Sequence, residues 1–213
     1  MKATTIRCVL FDFGGVIAEE GFRAALLDAA RQDGLDAEVL LGQAMDAVYE
    51  SGFVLGRGAE EEFWRALRTK APLSQPFETF RERVLVRFVV RPAMLELADR
   101  LRDRGLTVAI LSDQTHWLDE LDRRDGIFCH FDRVFNSYHL GKGKRDPTVF
   151  RDVVDELGCR PAEALFVDDS AGHVERARRM GLEAIRCDDS RACIEAVCRR
   201  AGLEAGSLPV EGR

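Results

Sequence analysis

Apolar residues in this chain fall into two patterns. Unbroken short runs at Cys8–Phe11, Thr107–Leu111, Ala164–Val167 and Ala184–Cys187 lack polar alternation. Such runs predict strands of a parallel sheet buried on both faces. Arg133–Asn136 is a weaker candidate of the same kind. Between them, Ala93–Arg104, Thr148–Leu157, Ala171–Met180 and Arg191–Ala201 repeat apolar positions at helical spacing. Gly105, Gly158, Gly181 and Gly202 stand just past these stretches, where a left-handed residue ends a helix. Pro92, Pro147 and Pro161 stand near helix starts, where a missing amide hydrogen costs nothing. Strand alternating with helix predicts an α/β fold with a doubly wound, Rossmann-like parallel sheet.

One segment breaks the rhythm. From Glu20 to Phe88 the pattern is helical, with candidates at Phe22–Arg31, Ala37–Tyr49, Glu60–Leu67 and Phe77–Val86. Roughly 70 residues between the first two strands exceeds what one crossover helix requires. An inserted helical subdomain follows. The expected organisation is a core of residues 1–18 and 89–201, a helical cap at 19–88 and a loosely held tail at 202–213.

Composition narrows the class. A net charge of −6, with acidic and basic residues interspersed, argues against a nucleic-acid partner. No uncharged run reaches the length of a membrane span, so no membrane partner is expected. Ile6–Phe11 contains Arg7 and runs straight into Asp12 and two glycines, which does not suit a signal peptide. The six cysteines include no Cys-x-x-Cys pair, so reduced thiols and a cytoplasmic location are expected. Nothing in the pattern indicates an oligomeric state.

Candidate chemistry gathers where the strands end. Ligands of open parallel sheets bind beyond the carboxyl ends of the strands. There the first strand runs into Asp12-Phe13-Gly14-Gly15, the second into Ser112-Asp113, and a later one into Asp168-Asp169. Gly141–Pro147 supplies Lys142 and Lys144 to the same edge. Each group also has a plainer reading. Asp12 suits a turn cap, Ser112 the N-cap of a helix starting near Gln114, and Asp168-Asp169 a helix N-terminus. Phe22, Phe53 and Trp64 read as cap core before they read as a substrate pocket.

In order and residue type these segments resemble the haloacid dehalogenase superfamily. The four motifs read VLFDFGGVI, AILSD, KRDPTVF and LFVDDSAGHVERARRMGL, and the likeness runs from about Ile6 to Cys187. The branch it resembles is the helical-cap phosphatases, including glucose-1-phosphatase-like members. The resemblance implies a Mg²⁺-dependent phosphatase acting on a small phosphorylated metabolite through an aspartyl-phosphate. It implies Asp12 as nucleophile and metal ligand, with the Gly14 carbonyl, Asp169 and neighbouring Asp168 completing the metal set. Ser112 and the Asp113 amide would bind phosphate oxygens. Lys144 would balance charge and bind phosphate; it matches the family spacing better than Lys142. A carboxylate attacking a phosphate needs such cations, because two anions in a poorly hydrated pocket repel strongly.

Three positions depart from the pattern. Gly14 stands where the family's acid/base Asp is usual, which leaves Glu19 or Glu20, a substrate needing little protonation, or weak turnover. Asp113 replaces a common Asn, and its carboxylate must point away from phosphate. His173 stands where Asp or Asn is usual and would orient Asp169 or Lys144. Two other readings therefore stay open: a 2-haloacid dehalogenase, and a catalytically impaired binding or regulatory protein on the same fold.

Overall fold

Five parallel strands carry the buried runs: β1 (Cys8–Phe11), β2 (Thr107–Ser112), β3 (Arg133–Asn136), β4 (Ala164–Asp168) and β5 (Glu183–Arg186). A computed structural model describes residues 5–204 of the chain; of the expected tail, residues 205–213 lie outside it. The strand order is β3-β2-β1-β4-β5. Register pairs Phe11 with both Ile110 and Val167, so β2 and β4 run past the end of β1, to Ser112 and Asp168. Val9 and Phe11 face one apolar cluster while Cys8 and Leu10 face another. Burial on both faces is why these strands read as unbroken apolar runs.

Helices cover both faces. Helices α1 to α4 lie between β1 and β2 (Gly21–Asp33, Ala37–Glu50, Glu60–Lys70, Phe77–Arg87), followed by α5 (Pro92–Asp103). The remainder are α6 (Trp117–Asp125), α7 (Ser137–Leu140), α8 (Thr148–Glu156), α9 (Ala171–Arg179) and α10 (Ser190–Ala201). Residues of α5, α6 and α10 join the first cluster, and α8 supplies much of the second. The ends follow local chemistry. Asp36 and Asp189 accept from the backbone amides of Val39 and Ala192 and cap α2 and α10. Gly202 ends α10 at φ 69°.

The α1–α4 segment leaves and re-enters the sheet at one place. Ala18 and Val90 form an antiparallel bridge, flanked by Glu19 N donating to Val89 O and Arg91 N donating to Ile17 O. Its apolar faces are continuous with the core, since Phe53, Phe63, Phe80 and Phe88 belong to the cluster of Phe13 and Trp117. Among the described residues no helix is long and apolar enough to cross a membrane.

Most element boundaries shift by one to three residues from expectation, and two helices differ more. β5 begins at Glu183 and ends at Arg186, one residue earlier than its apolar run. As an edge strand it is only partly buried, so its pattern is blurred. α6 starts at Trp117 rather than near Gln114, and neither it nor α7 stands out in the sequence. WLDELDRRD buries only Trp117, Leu118 and Leu121, and α7 has four residues, too few for a period to show.

Candidate active site

The order of the sheet reverses direction beside β1, so the crevice beyond β1 and β4 is the natural ligand site of this topology. Asp12 leaves β1 there, tied to its neighbour by its amide, which donates to Val167 O at 2.9 Å. The chain then turns back on itself. Gly15 N donates to Ala18 O, Ala18 N donates to Phe13 O, and the Arg91 guanidinium donates to Gly15 O at 2.7 Å. Gly15 has φ 79°, and a Cβ on it would lie 2.3 Å from Asp169 Oδ2. Both conformation and space therefore demand glycine.

Asp12 sits at the centre of the crevice. Its Oδ1 accepts from the Ser112 hydroxyl at 2.6 Å and from the Phe13 amide at 2.7 Å. Its Oδ2 lies 2.8 Å from Lys144 Nζ. The same ammonium lies 2.6 Å from Asp168 Oδ2. Burial pushes the Asp12 carboxyl well above its ordinary value; Lys144 opposes this and Asp168 adds to it. Burial also works against the ionised form of Asp168, but Lys144 and His173 outweigh it and hold the group below its usual range. For Lys144, desolvation favours the neutral amine, yet Asp12 and Asp168 raise it above an ordinary lysine. Charge balance, not solvent, keeps this ammonium protonated.

The lysine backbone is fixed as firmly as its head group. Lys144 N donates to Asp113 at 2.8 Å, and Arg176 Nε donates to Lys144 O at 2.8 Å. The Asp113 carboxylate also accepts from Tyr49 Oη at 2.6 Å. It is thus committed to Tyr49 of α2 and to the lysine loop, as the need to face away from an anion requires. Lys142 instead binds Thr148 Oγ1 at 2.6 Å and the Asp152 carboxylate. The sequence points to His173 as a partner of Asp169 or Lys144; instead its Nδ1 lies 3.2 Å from Asp168 Oδ2. Asp168 ends β4 and points at the same ammonium, so it is the carboxylate within the ring's reach.

A cavity of about 600 Å³ opens over Asp12, with Ser112, Lys144 and Asp169 in its floor and α1–α2 residues in its roof. Phe22 and Phe53 line it as well as packing in the core. Trp64 does not; it packs on Phe77 and Phe80. Sequence reasoning missed Tyr49 and Arg145, whose guanidinium carbon lies 3.6 Å from the Tyr49 ring centre. No local signal marks either residue. Glu20 also lines the cavity, and burial pushes its carboxyl up to about 7 against the opposing Arg23 amide.

The donors suit a hard divalent cation. Asp12, Asp168 and His173 bring possible ligand atoms within 4.8 Å of one another. Imidazole is a poor magnesium ligand, whereas carboxylate oxygens are good ones. Asp169 adds another carboxylate to the same wall, and burial, then the charge of Asp168, pushes it above its ordinary value. Three carboxylates around one ammonium leave negative charge that a bound cation would offset.

Comparison with known proteins agrees with this geometry. The family model for haloacid dehalogenase-like hydrolases matches residues 6–181. The chain is 30% identical over 140 residues to bifunctional epoxide hydrolase 2 of Rattus norvegicus, covering 62% of this chain and 25% of that protein. It therefore spans only about a quarter of that relative. It is 34% identical over 137 residues to phosphoserine phosphatase of Thermus thermophilus, covering 62% of this chain and 52% of that protein. A HAD family enzyme of Bacteroides thetaiotaomicron, solved with magnesium and inorganic phosphate, has the same fold: TM-score 0.65 at 19% identity, over 85% of this chain and 93% of that one. So does the L-2-haloacid dehalogenase of Xanthobacter autotrophicus, with TM-score 0.62 at 20% identity, over 91% and 88%. With the match spanning most of its length and the site residues at the strand ends, this chain belongs to the haloacid dehalogenase-like hydrolases.

Proposed function

We propose that this hydrolase is a magnesium-dependent phosphatase of a small phosphorylated metabolite, with Asp12 as nucleophile. The observation that carries the reading is the Asp12 carboxylate held 2.8 Å from the buried Lys144 ammonium on the floor of a cavity. Asp12 would attack phosphorus as the bond to the leaving oxygen breaks, and water would then cleave the aspartyl-phosphate. Asp12, the Gly14 carbonyl and Asp169, with Asp168 beside them, would hold the magnesium ion. When bound, the ion supplies positive charge that lets a carboxylate approach a phosphate. Lys144 would bind phosphate oxygen while keeping Asp168 ionised. The Ser112 hydroxyl, which now donates to Asp12, would turn to phosphate together with the Asp113 amide. Residues 19–88 would act as the cap that closes over substrate and selects it.

The phosphatase relative and the magnesium–phosphate complex of a structural neighbour support this reading. The dehalogenase neighbour keeps the alternative reaction in view, and Gly14 would be no handicap where halide leaves unprotonated. The paired Asp168-Asp169 favours the metal-dependent reaction. The free thiols, most of them buried, fit a reducing compartment such as the cytoplasm. The test is a panel of sugar phosphates, nucleotides, phosphoserine, phosphoglycolate and 2-chloropropionate, assayed for phosphate and halide with magnesium and with EDTA. Magnesium-dependent phosphate release supports the proposal. Metal-independent halide release replaces it with dehalogenation. No release from any substrate favours a binding protein.

A further inference from the structure

The glycine at position 14 leaves a space in the site, and a carboxylate from outside the motif fills it. A Cβ built on Gly14 would lie 3.0 Å from Glu20 Oε1 and 3.3 Å from the Phe88 ring. Glu20 stands just before α1 with its other oxygen, Oε2, accepting the Arg23 amide at 2.6 Å. That bond fixes the side chain and leaves Oε1 turned toward Gly14. Asp12, Gly14 and Glu20 line the same cavity. Glu19 is not an equivalent candidate, because its carboxylate pairs with Arg91 at 2.9 Å and is largely exposed.

We infer that Glu20 is the general acid and base of this site, reaching from the N-cap of α1 into the volume that Gly14 vacates. The inference rests on the phosphatase reading above. In the first half-reaction, the protonated Glu20 carboxyl gives its proton to the leaving oxygen. The P–O bond to that oxygen breaks as the Asp12–phosphorus bond forms. In the second, the Glu20 carboxylate takes a proton from water as the water oxygen attacks phosphorus and the bond to Asp12 breaks. The proton count closes over one turnover. Because the acid/base group caps the start of α1, chemistry at the sheet edge depends on the placement of the inserted helices. A wild type glycine at position 14 is then a steric requirement of Glu20 rather than a loss of function.

The experiment compares wild type with Glu20→Gln and Glu19→Gln on 4-nitrophenyl phosphate and on an alkyl phosphate, both with magnesium. Glutamine keeps an oxygen to accept the Arg23 amide, so the start of α1 survives. Glu20→Gln should lose about 10²-fold or more of steady-state turnover on the alkyl phosphate. On 4-nitrophenyl phosphate, whose leaving group needs no proton, it should release one equivalent in a burst and then stall. Glu19→Gln should stay within a few-fold of wild type. A second arm places Gly14→Asp in the Glu20→Ala background, where the Glu20 contacts are gone and only the Phe88 ring must give, and should return at least tenfold of the lost turnover. Turnover by Glu20→Gln within a few-fold of wild type overturns the inference. So does a burst slowed equally for both substrates, which would make Glu20 a helix cap only. An inactive wild type instead sinks the phosphatase reading itself, which separates the two failures.

Discussion

Lys144 Nζ lies 2.6 Å from Asp168 Oδ2, and both side chains are sealed from solvent. A buried ammonium costs several kcal/mol unless its charge is met, and breaking a buried pair by removing one partner is correspondingly severe. Here Asp12 and Asp168 together meet it. The arrangement gives Lys144 a structural duty in addition to any part in turnover.

Lys144→Ala should therefore lower stability by about 3 kcal/mol, because it strands two buried carboxylates. It should also reduce phosphate release by about 10²-fold or more, as removal of one charge-stabilising donor does. Lys142→Ala severs exposed contacts to Asp146 and to Thr148 and Asp152 of α8 and should stay near wild type in both. Urea unfolding and steady-state assays of the two variants decide it. A larger loss of turnover in Lys142→Ala would move the role to Lys142.

Asp12→Asn should abolish turnover while the fold persists. Asparagine fits the same volume and can still accept from Ser112, and Asp168 still meets the Lys144 ammonium, so the fold persists although one of the two buried ion pairs is lost. Circular dichroism should be unchanged at room temperature, with the thermal midpoint lowered because Lys144 keeps only Asp168 as a charged partner. Retained phosphate release in this variant would remove Asp12 as nucleophile.

Gly15→Ala should damage the site more than the fold. The added methyl would fall 2.3 Å from Asp169 Oδ2 and require φ near 79°, so either the turn or the carboxylate must move. The expected outcome is a magnesium requirement raised at least tenfold, read from the metal dependence of phosphate release. An unchanged requirement in a folded variant would place Asp169 outside the metal set.

What was legible in the sequence has a physical limit. β1, β2 and β4 could be read because both faces of a central strand are apolar, and the strand-end groups followed from the topology alone. Arg133 is exposed and Glu183 only partly buried, so the edge strands β3 and β5 carried weaker signals. The choice between Lys142 and Lys144 could be argued from spacing. The placement of Glu20, the Tyr49–Asp113 bond and the His173–Asp168 contact could not. The first two depend on how the α1–α4 segment folds back over the sheet edge, a long-range event that leaves no periodic trace. The third depends on which of two adjacent carboxylates, Asp168 or Asp169, turns toward α9.

Far from the crevice, Glu163 offers a test of fold stability against pH. It sits in the turn before β4, where its carboxylate accepts from Arg160 Nη2 at 2.6 Å and from the Arg160 amide at 3.0 Å. Its own carbonyl accepts from Arg7 N at 2.8 Å, so the turn also anchors the start of β1. The side-chain bond from Arg160, then the amide, lowers the carboxyl from 4.5 to about 2. A depressed folded value means that the stabilisation is complete above the unfolded value and fades as pH falls toward the folded one. Wild type should therefore exceed Glu163→Gln in urea midpoint at pH 6, and the gap should narrow between about 4.5 and 2. Midpoints measured across that range check the sign. A gap that stays constant down to pH 2 would mean that the glutamate acts there by its shape and not by its charge.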